Sequence, residues 1–98
     1  MANYLNIVTS THKTLSANTA DRVTFADNFQ SVRIKNRGTT DDLYVRLGST
    51  NPVVAGDATY VVSAGESLTI NNDWLNDEVR LISAGAIAYS VMGIDRLT

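Results

Sequence analysis

Apolar and polar positions alternate with a period of two along most of this chain. In the stretch 31–49, apolar side chains occupy every second position of two segments, and several of the positions between them are cationic. This alternation is typical of strands with one buried and one exposed face. The intervening residues Asn36, Gly38 and Asp41 favour a turn, so the pattern predicts a β-hairpin over residues 31–49.

The same period predicts further strands at 21–26, 58–64, 66–72, 78–84 and 87–94. The last two are apolar on both faces, which is typical of strands covered on both sides, and the short connection between them indicates a tight hairpin or a bulge. Helix signals are short and isolated. The sequence therefore predicts an all-β fold, a single small antiparallel β-sandwich of about seven or eight strands, of jelly-roll or Greek-key type.

Residues 1–20 differ from the rest because Thr, Ser, Ala and Asn dominate them. We expect either a first strand or an extended N-terminal arm that finds its hydrogen-bond partners on another chain. Residues 21–98 form the predicted β-sandwich domain. A length of 98 residues suits one domain.

The amino-acid composition narrows the range of possible functions. Hydrophobic residues make up 44% of the chain, enough for a core, whereas charged residues make up 18%, less than the usual quarter. A surface poor in charge is easier to desolvate, which indicates that protein covers part of it. The net charge is -2 and the cations are scattered, so neither nucleic acid nor a membrane is an expected partner. There is no cysteine, no visible signal peptide and no apolar stretch of membrane-spanning length, so we expect a soluble protein.

No motif predicts an enzyme, a cofactor or a metal site. His12 is the only histidine and lies in a polar stretch, where we expect a solvated surface residue. Asp41 and Asp42 are adjacent in a turn and would point to opposite faces of a strand, which suits turn formation better than acid–base catalysis. The oxygen-rich loop 71–78 lacks the spacing of a calcium-binding EF-hand loop.

Four residues are candidate anchors for contact with another protein. Trp74, the only tryptophan, lies in the polar loop 71–78 and either caps the core or stands out from the surface. Tyr4, Leu5 and Ile7 lie near the N-terminus, where the domain offers little to bury them, so a partner surface is plausible.

Three stretches between residues 31 and 94 together resemble a family of small virion proteins of tailed bacteriophages: SVRIKNRGTTDDLYVRLGSTNPVV, TYVVSAGESLTI and EVRLISAGAIAYSVMGI. The resemblance implies a capsid decoration (cement) protein that binds the outer surface of a phage head and stabilises it. It further implies a homotrimer whose partner is the major capsid protein, on the virion capsid surface after synthesis in the host cytoplasm.

Two other functions stay open. A head–tail connector or small tail component would form rings of another symmetry. A carbohydrate-binding module would present exposed aromatic side chains to a sugar, and Trp74 with Tyr44 or Tyr60 could serve.

Overall fold

The computed structural model describes residues 4–25, 28–57 and 59–97, and of residues 4–10 and 95–97 it describes the backbone. These ranges hold eight strands and no helix. The strands are β1 (Tyr4–Thr14), β2 (Asp21–Thr24), β3 (Ser31–Asn36), β4 (Leu43–Leu47), β5 (Tyr60–Val62), β6 (Ser67–Asn71), β7 (Glu78–Ile82) and β8 (Ala88–Leu97).

The strands form two four-stranded antiparallel sheets. Sheet A has the order β1-β8-β3-β6, and sheet B has the order β2-β7-β4-β5. The chain passes from one sheet to the other at every connection except β4–β5, which is the strand order of a jelly roll. The predicted all-β sandwich is confirmed, with eight strands.

Two predicted hairpins are wrong. β3 belongs to sheet A and pairs with β6 and β8, whereas β4 belongs to sheet B and pairs with β5 and β7, so residues 31–49 cross between the sheets. β7 and β8 are likewise in opposite sheets. The inner faces of both sheets are apolar, so a period of two gives the buried side of a strand but not its hydrogen-bonded neighbour.

The apolar character of β7 and β8 correctly predicts that each is an inner strand of its sheet. β7 lies between β2 and β4, and β8 lies between β1 and β3, so both are inner strands, as their sequences predict. In β8, Tyr89 and Val91 are fully buried in the core, whereas Ser90 and Met92 lie on the outer face of sheet A.

Residues 4–14 form an edge strand of this chain's own sheet. β1 pairs with β8 from Tyr4↔Leu97 to Thr14↔Ala88, with an irregularity between Ile7 and Thr9. Leu15 then enters the core, and its backbone N–H donates to the Ile87 carbonyl at 2.8 Å. β3 accompanies β8 only as far as Ile94, so beyond that point β1 and β8 continue as a two-stranded ribbon.

The core lies between the two sheets, and its side chains make close contacts across the sandwich. Phe25 and Phe29 pack against each other with ring centroids 4.6 Å apart. The Phe25 ring occupies the place where a side chain at Gly93 would lie, because a Cβ there would be 2.6 Å from Phe25 Cε1. Tyr89 donates its hydroxyl to Asp21 Oδ2 at 2.5 Å, which joins β8 of sheet A to β2 of sheet B.

Candidate functional site

The loop between β6 and β7 is organised by one buried amide. Asn72 is 3% exposed, and its Nδ2 donates to the Phe29 carbonyl at 2.6 Å and to the Asn76 carbonyl at 3.0 Å. Its Oδ1 accepts from Asn76 Nδ2 at 2.9 Å. Both ends of the loop are therefore fixed to each other and to the segment that precedes β3.

The backbone of the loop turns outward at two residues with left-handed conformation. Asp73 has φ 50° and Trp74 has φ 65°. A bulky side chain in this region is an uncommon arrangement that costs on the order of 1 kcal/mol or more. It is held by hydrogen bonds from Asp73 N–H to the Gln30 carbonyl and from Trp74 N–H to the Phe29 carbonyl, at 3.0 and 3.1 Å.

This turn presents two large apolar side chains to solvent. Trp74 is 44% exposed and Leu75 is 77% exposed. The indole is therefore not part of the core, which disfavours the interpretation of Trp74 as a core cap. Asp73 and Asp77 flank the pair and are exposed, so the loop tip is apolar at its centre and acidic at its edges.

The N-terminal candidates lie at the same end of the sandwich as Trp74. Ile7 pairs with Ile94, whose carbonyl accepts from Gln30 N–H at 3.0 Å, and the Gln30 carbonyl accepts from the Asn72 and Asp73 backbone. The backbone of Tyr4 and Leu5 continues outward from there along β8. The side chains of Tyr4, Leu5 and Ile7 lie outside what the structure describes. We call this end, with the loop residues 28–30, 48–57 and 72–77, the Trp74 end.

Hydrogen bonds from polar side chains close the opposite end of the sandwich. Asn36 is fully buried, and its Nδ2 donates to the carbonyls of Asp41 and Val62 at 2.8 and 2.9 Å, while its Oδ1 accepts from Gly38 N–H at 2.8 Å. Ser83 Oγ donates to the Asp42 carbonyl at 2.8 Å. The backbone carbonyls of Asp41 and Asp42 thus fix the β3–β4 connection, which crosses between the sheets instead of forming the predicted hairpin turn.

His12 lies on the outer face of sheet A. It is exposed, and a hydrogen bond of 2.7 Å joins its Nδ1 to Ser90 Oγ, the donor depending on the imidazole tautomer. This serine–histidine pair was not visible in the sequence, because the two residues are far apart in the chain. β8 has paired neighbours on both sides from Tyr89 to Ile94, so its backbone N–H groups serve the sheet ladders and are not available as oxyanion donors beside Ser90.

Neither a metal centre nor a membrane-spanning helix is found within the described ranges. There is no group of three or more His, Cys, Asp or Glu side chains placed to hold a metal ion. In the loop 71–78, the amides of Asn72 and Asn76 are used by the loop itself. No helix of sufficient length and hydropathy to cross a bilayer occurs there.

The two tyrosines proposed as alternatives beside Trp74 for sugar binding lie on different faces of sheet B. Tyr44 is opposite Val61 and shares its face of sheet B, whereas the neighbouring Tyr60 alternates to the other face. Trp74 lies in a loop that connects β6 of sheet A to β7. Tyr44 and Tyr60 therefore cannot both accompany Trp74 on one surface, and the pairing of Trp74 with either one stays a prediction.

Sequence reasoning found Trp74 but missed Leu75 and Asn72. Leu75 was detectable, since an apolar pair inside the run NNDWLNDE is unlike the alternating strands on either side. Asn72 was not detectable, because nothing in the sequence distinguishes its buried amide from the other four Asn and Asp side chains of the same loop.

Comparison with protein-family models gives no match, and comparison with curated proteins gives none at a significant level. The resemblance to small phage virion proteins therefore stays a prediction that rests on the residues quoted for it.

Proposed function

We propose that this chain is a structural virion protein of the decoration type, which docks on the outer surface of a protein shell through its Trp74 end. The observation that carries the proposal is the fixed presentation of Trp74 and Leu75, at 44% and 77% exposure, on a turn with left-handed backbone. Tryptophan is, with tyrosine and arginine, one of the residue types enriched at the energetic centre of protein interfaces.

The rigidity of the loop favours a docking role for the exposed Trp74 and Leu75 over exposure without a function. A loop that is already ordered loses little conformational entropy on binding, so more of the contact energy appears as affinity. The hydrogen bonds of Asn72 provide this order, and the backbone hydrogen bonds to Gln30 and Phe29 offset the strain at Trp74. The partner predicted by the resemblance is the major capsid protein, and the predicted assembly is a homotrimer, in which three linked contacts reinforce one another.

The test is binding to undecorated shells by co-sedimentation. We expect the double variant W74A/L75S to stay folded and to lose at least about thirtyfold in affinity, the equivalent of a loss of about 2 kcal/mol at a hot spot. The matched control is V61T, which changes another exposed apolar residue on β5, away from the Trp74 end. Unchanged binding by W74A/L75S, or an equal loss in V61T, would remove the loop from the docking site.

The connector alternative predicts a different assembly from the same purified protein. Native mass measurement separates a trimer from a ring of six or twelve subunits. A ring of that size would favour the head–tail position over the capsid surface.

A further inference from the structure

A groove of about 240 Å³ crosses the outer face of sheet A, on the side of the sheet that faces away from the core. Its lining comes from all four strands: His12 of β1, Ser90 and Met92 of β8, Arg33 and Lys35 of β3, and Ser67 of β6. We propose that this groove is a binding site for an acidic saccharide unit, a function separate from docking through Trp74.

The strand register builds the groove as an ordered array of side chains. His12 is opposite Ser90, Ser90 is opposite Lys35, and Lys35 is opposite Ser67, so these four form one row across the sheet. Met92 and Arg33 form the centre of the adjacent row. With neighbouring strands about 4.8 Å apart, the row spans about 14 Å. Every lining residue therefore lies on a strand rather than on a loop, which is a rigid arrangement for recognition.

The charge of the groove selects an anion. Arg33 and Lys35 lie two residues apart on the same strand face, about 7 Å from Cα to Cα. The lining contains no carboxylate. Neither cation forms an ion pair with any side chain that the structure describes. One oxyanion between them could accept from both, and Arg suits bidentate contact with a carboxylate or sulfate.

The cations of sheet B are arranged differently. Arg22, Arg80 and Arg46 are in register across β2, β7 and β4. Glu78 lies 3.5 Å from Arg80 and 4.0 Å from Arg22, and Asn51 Oδ1 accepts from Arg80 at 2.6 Å. Glu78 and Asn51 thus contact the central guanidinium, whereas no described side chain forms an ion pair with either cation of the groove on sheet A.

The remaining lining residues favour a sugar over a bare anion. Ser67 and Ser90 place hydroxyls on either side of Lys35, where they can exchange hydrogen bonds with the hydroxyls of a pyranose ring. Met92 offers a polarizable apolar contact for the C–H face of such a ring. At about 240 Å³ the groove has room for more than a single small anion and lies below the roughly 300 Å³ of a pocket for a drug-sized ligand.

The hydrogen bond between His12 and Ser90 prepares the groove for this ligand. At 2.7 Å it joins the edge strand β1 to β8 through side chains and fixes the position of the Ser90 hydroxyl. A fixed hydroxyl loses less entropy on binding than a freely rotating one. The imidazole also forms the wall at the β1 side of the groove.

The test uses trigalacturonate as the probe, with amide chemical shifts and titration calorimetry as readouts. We expect shift changes on β3 and β8 around Arg33, Lys35 and Ser90. The neutral analogue galactotriose should bind at least about tenfold more weakly, because it lacks the charge-assisted hydrogen bonds.

Two charge variants with the same net charge separate a site from general attraction. R33E/K35E and R22E/R46E each lower the net charge by four, from -2 to -6. We expect R33E/K35E to lose at least about tenfold in affinity for trigalacturonate. R22E/R46E should lose less than about twofold, because its changes lie on the opposite sheet, beyond a Debye length.

Four results would overturn the proposal. An equal loss in both variants would indicate non-specific attraction, and equal binding of galactotriose would exclude charge recognition. Equal binding of inorganic phosphate would reduce the site to an anion site. Tighter binding of hexaglutamate than of trigalacturonate would point to an acidic protein partner. Circular dichroism of each variant establishes that it is folded, and none of these results depends on docking to a shell.

Discussion

Replacing Asn72 with alanine should destabilise the whole domain and release the Trp74 loop. The buried side chain takes part in three hydrogen bonds, two that it donates and one that it accepts. The net contribution of each is about 0.5–1.5 kcal/mol, so N72A should lower the free energy of unfolding by about 3 kcal/mol. For a domain of this size, that loss lowers Tm by about 12–24 °C.

Denaturant unfolding followed by circular dichroism measures the loss, and the fluorescence of the single tryptophan reports on the loop. We expect acrylamide to quench Trp74 more strongly in N72A while the sheets are still folded. The control is N71A, which removes an exposed amide with a single, longer hydrogen bond, from Asp73 N–H to Asn71 Oδ1 at 3.3 Å, and should cost less than about 1 kcal/mol. A loss below about 1 kcal/mol in N72A would refute the assignment of the loop's order to this amide.

Two further substitutions test the core. Burial, followed by the hydrogen bond to Asp21, raises the pKa of Tyr89 above its ordinary value of 10.0. Above pH 10 the folded state therefore keeps the phenol proton of Tyr89, whereas the unfolded state loses it. The contribution of Tyr89 to the free energy of unfolding is complete below pH 10. It is lost as the pH rises above 10, by up to about 1.4 kcal/mol per pH unit. Y89F should cost about 1–2 kcal/mol at neutral pH and lack that alkaline loss, which pH-dependent denaturant titrations of both proteins would measure. G93A should cost about 1–3 kcal/mol because its Cβ meets the Phe25 ring, and thermal unfolding should show partial recovery in G93A/F25L. A neutral result for G93A would mean that the ring can move away.

The sequence was sufficient for the fold class and for the strands after residue 20, whereas it left residues 1–20 open between a first strand and an arm. Alternation fixes which side of β3, β4 and β6 is buried, and the doubly apolar β7 and β8 are inner strands as expected. Strand pairing could not be derived, because a jelly roll joins most consecutive strands across the sandwich. Val32 and Leu43 have the same apolar character whether their strands are neighbours in one sheet or face each other across the core.

The candidate site was only partly accessible to the sequence. Trp74 was identified by its contrast with a polar loop, but its left-handed backbone is set by bonds to Phe29 and Gln30, more than forty residues away. The groove on sheet A was not identified at all. His12, Lys35, Ser67 and Ser90 are spread over the entire chain, and only the pairing of four strands places them in one row.

The antiparallel pairing of Tyr4 with Leu97 has a practical consequence for protein engineering. Because the two positions are adjacent in the ribbon, a linker of about two residues in a hairpin turn could join them. New termini could then be opened between Thr39 and Thr40, two exposed residues at the far end of the sandwich from Trp74. Cargo fused to such a circular permutant would leave the Trp74 end unobstructed, whereas a tag attached beside Tyr4 or Leu97 would stand next to it.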